Sequence, residues 1–364
     1  MFSNESCKNA QACRFCWMCR HICPVAGSTG NEAWTPRARG LLVSMVERGT
    51  KFDESIAATM YMCSLCDACA NDCVTGFKPS TFIREARMEA VARKVAPKSV
   101  LQEIALLQKW QNIFGKEKDP KLTAAVRELP EQADVLLYLG QTAANRCAAT
   151  GLAAISLLRK AGVSFTVLRR EPDSGAFLSE LMGYTSEIQT QARRAADAIA
   201  SSHATTLVAL DPHDACIFRD QYAQWNLLPG IKVVTATAYL ADLIADGKLR
   251  PEKIALKASF QDPCRLARDL GETQPARDIL GALGVEIQEL FLHGKMTRCC
   301  GGVVLDNHSP EVVRSMVKTR EEDAVRIGSK CIVTACPDCQ YLMSGYGDGR
   351  AEITDLFVLL DQHC

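Results

Sequence analysis

One spacing occurs twice near the start of the chain, and it limits what the first hundred residues can become. Residues 13 to 24 read CRFCWMCRHICP and residues 63 to 73 read CSLCDACANDC, each a C-x2-C-x2-C-x3-C run. Three thiolates so spaced converge on adjacent corners of one small cluster, while the intervening backbone supplies N–H groups to its sulfurs.

This is the run of bacterial two-cluster ferredoxins, in which the fourth cysteine crosses to the other cube. On that rule Cys13, Cys16, Cys19 and Cys73 hold one [4Fe–4S] cubane, and Cys63, Cys66, Cys69 and Cys23 hold the second. Structural zinc, the competing assignment, usually takes its ligands as two separated pairs rather than four in so short a run. Trp17 and His21 lie inside the first loop and are read as packing over the cluster.

The chain has 364 residues and 18 cysteines. Its N-terminus lacks the apolar core of a signal peptide, and no run is long enough to cross a bilayer, so a soluble, cytoplasmic protein is expected. There a reducing environment favours metal ligation over disulfides. Lys and Arg (42) balance Asp and Glu (42), which leaves no overall electrostatic attraction to nucleic acid.

Around the cysteine runs the pattern is helical. Thr35-Pro36 opens one helix, Ser80 or Thr81 can cap another, and Leu101, Ile104, Leu107 and Phe114 mark a linker helix. Beyond residue 130 strand and helix signals alternate, and they do so twice in the same order. Gly162-Val163 matches Gly284-Val285, and Asp211 matches Cys336. The fold class expected is α+β multidomain: a mostly helical dicluster ferredoxin-type domain over 1–97, a linker helix over 98–130, and two α/β lobes over 131–250 and 251–364.

In the second lobe the cysteines fall where strands end. Cys264, the adjacent pair Cys299 and Cys300, and Cys336 with Cys339 would meet in one crevice, since open α/β sheets bind ligands outside the carboxyl ends of their strands. Adjacent cysteines do not easily bond to each other, so the pair is expected to serve something else. Gly301 and Gly302 permit a tight turn behind it. In the first lobe Gln141, Asp173, Ser174, Asp211 and Asp214 stand at the matching positions, so no iron–sulfur cluster is expected there. Asp211, His213 and Asp214 are read as a degenerate site filled by hydrogen bonds, although such groups can also hold a hard cation or a proton.

Cys264, Cys299-Cys300-Gly301 and Cys336-Pro337-Asp338-Cys339 together resemble the cysteine-rich CCG domain of heterodisulfide reductase catalytic subunits. With the doubled ferredoxin run in front, the whole chain resembles the D-type subunits of heterodisulfide reductase and the iron–sulfur subunits of anaerobic glycerol-3-phosphate dehydrogenase and glycolate oxidase. The resemblance implies a noncubane [4Fe–4S] cluster on all five CCG cysteines, one of them bridging irons, or zinc as in some relatives. Cys7, Cys147, Cys216, Cys331 and Cys364 are left without a role.

No dinucleotide or phosphate-binding glycine motif is present, so the chain has no recognisable means of taking a hydride itself. The expected function is that of an iron–sulfur electron-transfer subunit of a flavin-dependent dehydrogenase complex. A partner FAD subunit would oxidise a 2-hydroxy acid or polyol derivative, and electrons would reach quinone or another carrier, with attachment to the inner face of the membrane through partners. The alternative is a heterodisulfide reductase-like thiol/disulfide reductase acting at the CCG cluster. His293, Lys295 and Arg298 either place positive charge beside the CCG pair or simply lie on the surface.

Overall fold

The computed structural model describes residues 2–364. Up to residue 130 the described chain is helical and carries no strand. Thr35 and Pro36 do open a helix, Pro36–Glu47: the Thr35 hydroxyl accepts a hydrogen bond from the Ala38 N–H, and Pro36 sits where a missing N–H is no loss. The helix expected to be capped by Ser80 or Thr81 instead runs Pro79–Ala92, with Ser80 buried inside it. Proline's fixed φ starts that first turn without a side-chain cap.

The linker helix is Lys98–Trp110. It buries Val100, Ile104 and Leu107, whereas Leu101, expected on the same stripe, is 41% exposed. Val100 and Leu101 point about 100° apart around a helix of this pitch, and the inward face is centred nearer Val100.

The rest of the chain contains two parallel sheets of four strands. The first comprises β1 (Val135–Tyr138), β2 (Phe165–Thr166), β3 (Thr206–Ala209) and β4 (Lys232–Thr235) in the order β2-β1-β3-β4. Val135 pairs with Phe165 on one side and Thr206 on the other. The second comprises β5 (Lys257–Gln261), β6 (Glu286–Ile287), β7 (Cys331–Thr334) and β8 (Glu352–Asp355) in the order β6-β5-β7-β8. The central strands VLLY and CIVT are buried throughout, as strands covered by helices on both faces must be.

The two sheets therefore repeat one topology, and their helices pack as a pseudo-twofold pair. Ala148–Lys160, which follows β1, rests on Leu356–Gln362, which follows β8. The reciprocal contact joins Ala236–Ala245 after β4 to Pro275–Ala282 after β5. Leu137, Leu240, Leu280 and Phe357 from these elements share one apolar core. The packing directs the carboxyl ends of β3 and β7 at each other, bringing Asp211 and His213 to Cys336 and Asp338. Among the described residues no helix is long and apolar enough to cross a membrane.

The Thr35 cap makes a direct prediction. Thr35→Ala should lower stability by about 1 kcal/mol in anaerobic urea unfolding, the usual value of such a cap; an unchanged midpoint contradicts the capping role.

Candidate metal centres

The two N-terminal cysteine runs fold alike. Phe15 and Trp17 in the first, and Leu65 and Asp67 in the second, all take positive φ, between 51° and 68°. This left-handed geometry at matching positions turns backbone N–H groups inward: Phe15 N–H lies 3.5 Å from Cys13 Sγ and Leu65 N–H lies 3.4 Å from Cys63 Sγ. Strained backbone of this kind is kept where a site needs it.

Cys23, Cys63, Cys66 and Cys69 line a single pocket together with Arg39. These four are the set expected from the crossing rule. Cys13 and Cys16 lie close enough to Cys19 to act on its charge, and burial pushes the Cys19 thiol up to about 11. Cys73 turns its thiol toward the Thr75 hydroxyl at 3.2 Å. Burial opposes its ionisation, but that hydroxyl and the N–H groups of Thr75, Phe77 and Gly76 bring it below the usual thiol range. The first set is the shallow one, with Cys16 exposed, and Phe15, Trp17 and Met18 stand out from the same loop.

The five CCG cysteines come together from three loops. All are buried, Cys264 Sγ lies 3.7 Å from Cys299 Sγ, and Cys339 Sγ lies 3.3 Å from Cys300 Sγ. The five line one pocket, with His213, Arg265 and Asp338 in its wall. Gly301 has φ +124°, and a Cβ there would meet both Val313 methyl carbons at 2.8 Å, so only glycine lets the chain turn behind the pair. The turn sends the Gly301 N–H to Cys299 Sγ at 3.3 Å.

Their protons are unevenly shared. Hydrogen bonds from Cys299 and Cys339 hold Cys300 well below the ordinary thiol range, while Cys299, facing Cys264, and Cys339, facing Cys300, are pushed well above it. Cys66 joins this network from the ferredoxin-type region: its contact with Cys299 lowers it to about 5. The second N-terminal set and the CCG set thus adjoin: Ser64 lines the CCG pocket, and Arg265 and Arg268 donate to the carbonyls of Leu65 and Cys66.

Buried positive charge surrounds the junction. Arg39 donates to the carbonyls of Thr59 and Met62; Arg87 to those of Met60, Cys63 and Glu180; Arg268 to those of Cys66, Lys295 and Thr297. Arg39 and Arg87 are 1% exposed. Among the described residues none of the three is paired with a carboxylate within 4.0 Å, and Arg268 Nη2 is buried with no partner at all. Burying an unpaired charge is strongly unfavourable, so such guanidinium groups call for anions nearby. The groups at hand that become anions on binding metal are thiols: Cys23 beside Arg39, Cys63 beside Arg87, and Cys66, Cys264 and Cys299 beside Arg268, while the nearby carboxylates Glu180 and Asp269 are already held by Arg265. Anionic iron–sulfur clusters on these cysteines fit this surplus of cation, and deprotonated ligands are what metal binding requires.

Of the two readings offered for His293, Lys295 and Arg298, the structure agrees with the surface one. Arg298 is paired with Asp323 at 3.3 Å, His293 and Lys295 are exposed, and the His293 ring lies against its own Leu290 carbonyl. The charge comes instead from Arg265 and Arg268 on the π-helical turn Arg265–Asp269, directly after Cys264. Arg265 is held by Glu180 and Asp269 and reaches the Leu65 carbonyl at 3.1 Å. Two arginines within five residues of a cysteine were visible in the sequence, but their reach across to residues 65 and 66 was not.

In the first lobe the positions matching the cysteines satisfy one another. Gln141 donates to the Asp173 carboxylate and Ser174 to that of Asp214, with Gln141 accepting from the Ile113 N–H at 2.9 Å. His213 faces the other way, into the CCG wall, with Asp211 Oδ1 against its ring. Of the unassigned thiols, Cys147 lies 3.6 Å from the Pro337 carbonyl and Cys216 lies 3.9 Å from Asp269, both outside the CCG pocket.

Fold and site together define a two-lobed protein with one cysteine-rich lobe, joined to a helical region with two cluster-type cysteine runs. Residues 258–344 match the family described as a cysteine-rich CCG domain. The chain is 26% identical over 327 residues to the D-type subunit of dihydromethanophenazine:CoB–CoM heterodisulfide reductase from Methanosarcina acetivorans, covering 85% of this chain and 79% of that protein. It is 29% identical over 308 residues to a protein named "Probable membrane-anchored ferredoxin" from Chromohalobacter salexigens, and 25% identical over 330 residues to EtfAB:quinone oxidoreductase from Syntrophomonas wolfei. Those matches cover 79% and 84% of this chain but only 45% and 46% of the two relatives, so the chain spans about half their length. The chain carries a CCG domain and is kin to the D-type heterodisulfide reductase subunits.

The charge arrangement is testable by redox titration. Arg268→Gln should lower the midpoint potentials of the centres on Cys66 and on Cys299, because it removes a cation close to both, whereas Arg298→Gln should move neither. Equal shifts in the two variants contradict the assignment.

Proposed function

We propose that the chain is an iron–sulfur electron-transfer subunit of an oxidoreductase complex. Cys13, Cys16, Cys19 and Cys73 hold one [4Fe–4S] cubane, Cys63, Cys66, Cys69 and Cys23 a second, and Cys264, Cys299, Cys300, Cys336 and Cys339 a noncubane [4Fe–4S] cluster. Such clusters, when bound, supply one-electron relay at potentials set by nearby charge and burial. The residues supply the rest: left-handed turns that aim N–H groups at sulfur, arginines that offset anionic charge, and a sheath that excludes water from the third set and partly covers the second.

The observation that carries this reading is that residues 64–66 lie against the CCG set, with Ser64 in the wall of its pocket and Arg268 donating to the Cys66 carbonyl. It sets the half-buried Cys66 set beside the CCG set, and Cys23 of that set lies close enough to Cys19 to act on its charge, which brings in the shallow set around Cys16. A disulfide-cleaving role is less well served, since the lobe-one loops offer Gln141, Asp173, Ser174, Asp211 and Asp214 in place of thiolates. Exposed Phe15, Trp17 and Met18 beside Cys16 suit the face where a redox partner approaches.

That partner is a flavoprotein holding FAD and oxidising a small substrate of the 2-hydroxy acid or polyol type, with quinone or another carrier at the far end. The chain would work on the cytoplasmic side, held at the membrane through its partners. The names of the relatives support the assignment as far as a subunit of a redox complex.

Metal analysis of anaerobically purified protein should give about twelve irons per chain for three four-iron centres. About eight irons with one zinc would place zinc on the CCG set. Cys299→Ser should remove metal from the CCG set and leave the cubane signals of the Cys13 and Cys63 sets; their joint loss contradicts the division into three sets. Affinity purification from the native host should bring down a stoichiometric FAD protein, and a chain that emerges alone contradicts the subunit reading.

A further inference from the structure

The lobe that lost its thiolates still reaches the site of the lobe that kept them. His213 follows the carboxyl end of β3, at the place in its repeat where Asp338 stands in the other, yet its ring forms part of the wall of the CCG pocket. A ring nitrogen of His213, a carboxylate oxygen of Asp211 and Cys336 Sγ all lie within 4.8 Å of one another, the spacing of groups around a single metal ion.

The ring is held as a ligand would be. Asp211 Oδ1 accepts the His213 backbone N–H at 2.9 Å and lies 3.1 Å from Nδ1. Metal-bound histidines commonly give their second ring N–H to a carboxylate in this way, which fixes the tautomer and leaves the other nitrogen for the metal. Phe177 stacks on the ring with centroids 5.6 Å apart and an interplanar angle of 29°. Nε2 is 3.7 Å from Glu180 Oε1, too far for a hydrogen bond, and that oxygen is already taken by Arg265.

The surroundings also favour a cation. Asp211 and Asp338 are 1% and 0% exposed, and each keeps one carboxylate oxygen without a hydrogen-bond partner. Buried oxygens are rarely left so. Carboxylates that would favour a proton on this ring favour a metal ion in its place, since metal and proton compete for the same lone pair.

We propose that His213 is a nitrogen ligand of the metal centre built on Cys264, Cys299, Cys300, Cys336 and Cys339, supplied by the first lobe to the second. The proposal rests on the reading that those five cysteines hold metal. It gives the degenerate lobe a function: the paired architecture persists because one site now uses ligands from both halves.

The test is pulsed EPR of the whole protein labelled with 15N-histidine. A histidine nitrogen should couple strongly to the CCG cluster in the unmutated chain, and His213→Gln should abolish that coupling while the cubane signals stay unchanged. Absence of such coupling in iron-replete protein overturns the proposal, as does its survival in the variant. The labelled unmutated chain decides the matter even if the variant does not fold. Metal analysis keeps the two ideas separate: if the CCG set carries zinc, the iron relay fails, and X-ray absorption at the zinc edge then decides whether nitrogen is bound. A nitrogen lost in His213→Gln supports the ligand, and an all-sulfur shell overturns it.

Discussion

Two buried guanidinium groups, Arg39 and Arg87, and a third, half-buried one, Arg268, all without carboxylate partners, set the terms for this structure. Arg39, Arg87 and Arg268 converge on the segment from Thr59 to Cys66, each donating to its backbone carbonyls. Leaving such charges unpaired costs several kcal/mol apiece. The thiols of Cys23, Cys63, Cys66, Cys264 and Cys299, which lose their protons when they bind metal, are the groups positioned to offset them. With the carbonyls tied to arginine, the N–H groups of the segment are free to face sulfur, as Leu65 does toward Cys63. Cluster binding and the docking of the helical region onto the lobes are then one event, because Arg87 and Arg268 each bridge the two.

The lobes show how a duplicated design can divide its labour. Both keep the same strand order and reciprocal helix contacts, which is what the shared core requires. At the strand ends, where packing does not dictate the residue, one copy carries thiolates and the other hydrogen-bonded polar groups. His213 belongs to the copy without thiolates by sequence and to the cysteine-bearing copy by position.

Much of this could be read from the chain alone. The grouping of Cys23 with Cys63, Cys66 and Cys69 follows from the doubled spacing, and the gathering of the five CCG cysteines from strand-end placement. Both signals are local. The arginines were not legible, because a buried arginine between two distant loops looks like any surface arginine in a helix-forming stretch. Arg298 shows the reverse case: next to Cys299 in sequence, it turns to Asp323 in space. The hydrogen bonds of Arg265 and Arg268 to the carbonyls of Leu65 and Cys66 join residues 200 and 202 positions apart, and no periodicity encodes them. At Pro79 two hydroxyl residues drew the expected cap inward, although proline is itself a sufficient start.

The central claim is that the second and third cysteine sets form adjoining centres. Spin–spin interaction between them, followed by EPR relaxation as the iron-replete protein is poised stepwise through its redox states, tests this most directly. Faster relaxation of the Cys63-set signal whenever the CCG-set centre is paramagnetic is the predicted result, with the interaction lost when Cys299 is replaced. Signals that relax independently at every potential would contradict the account.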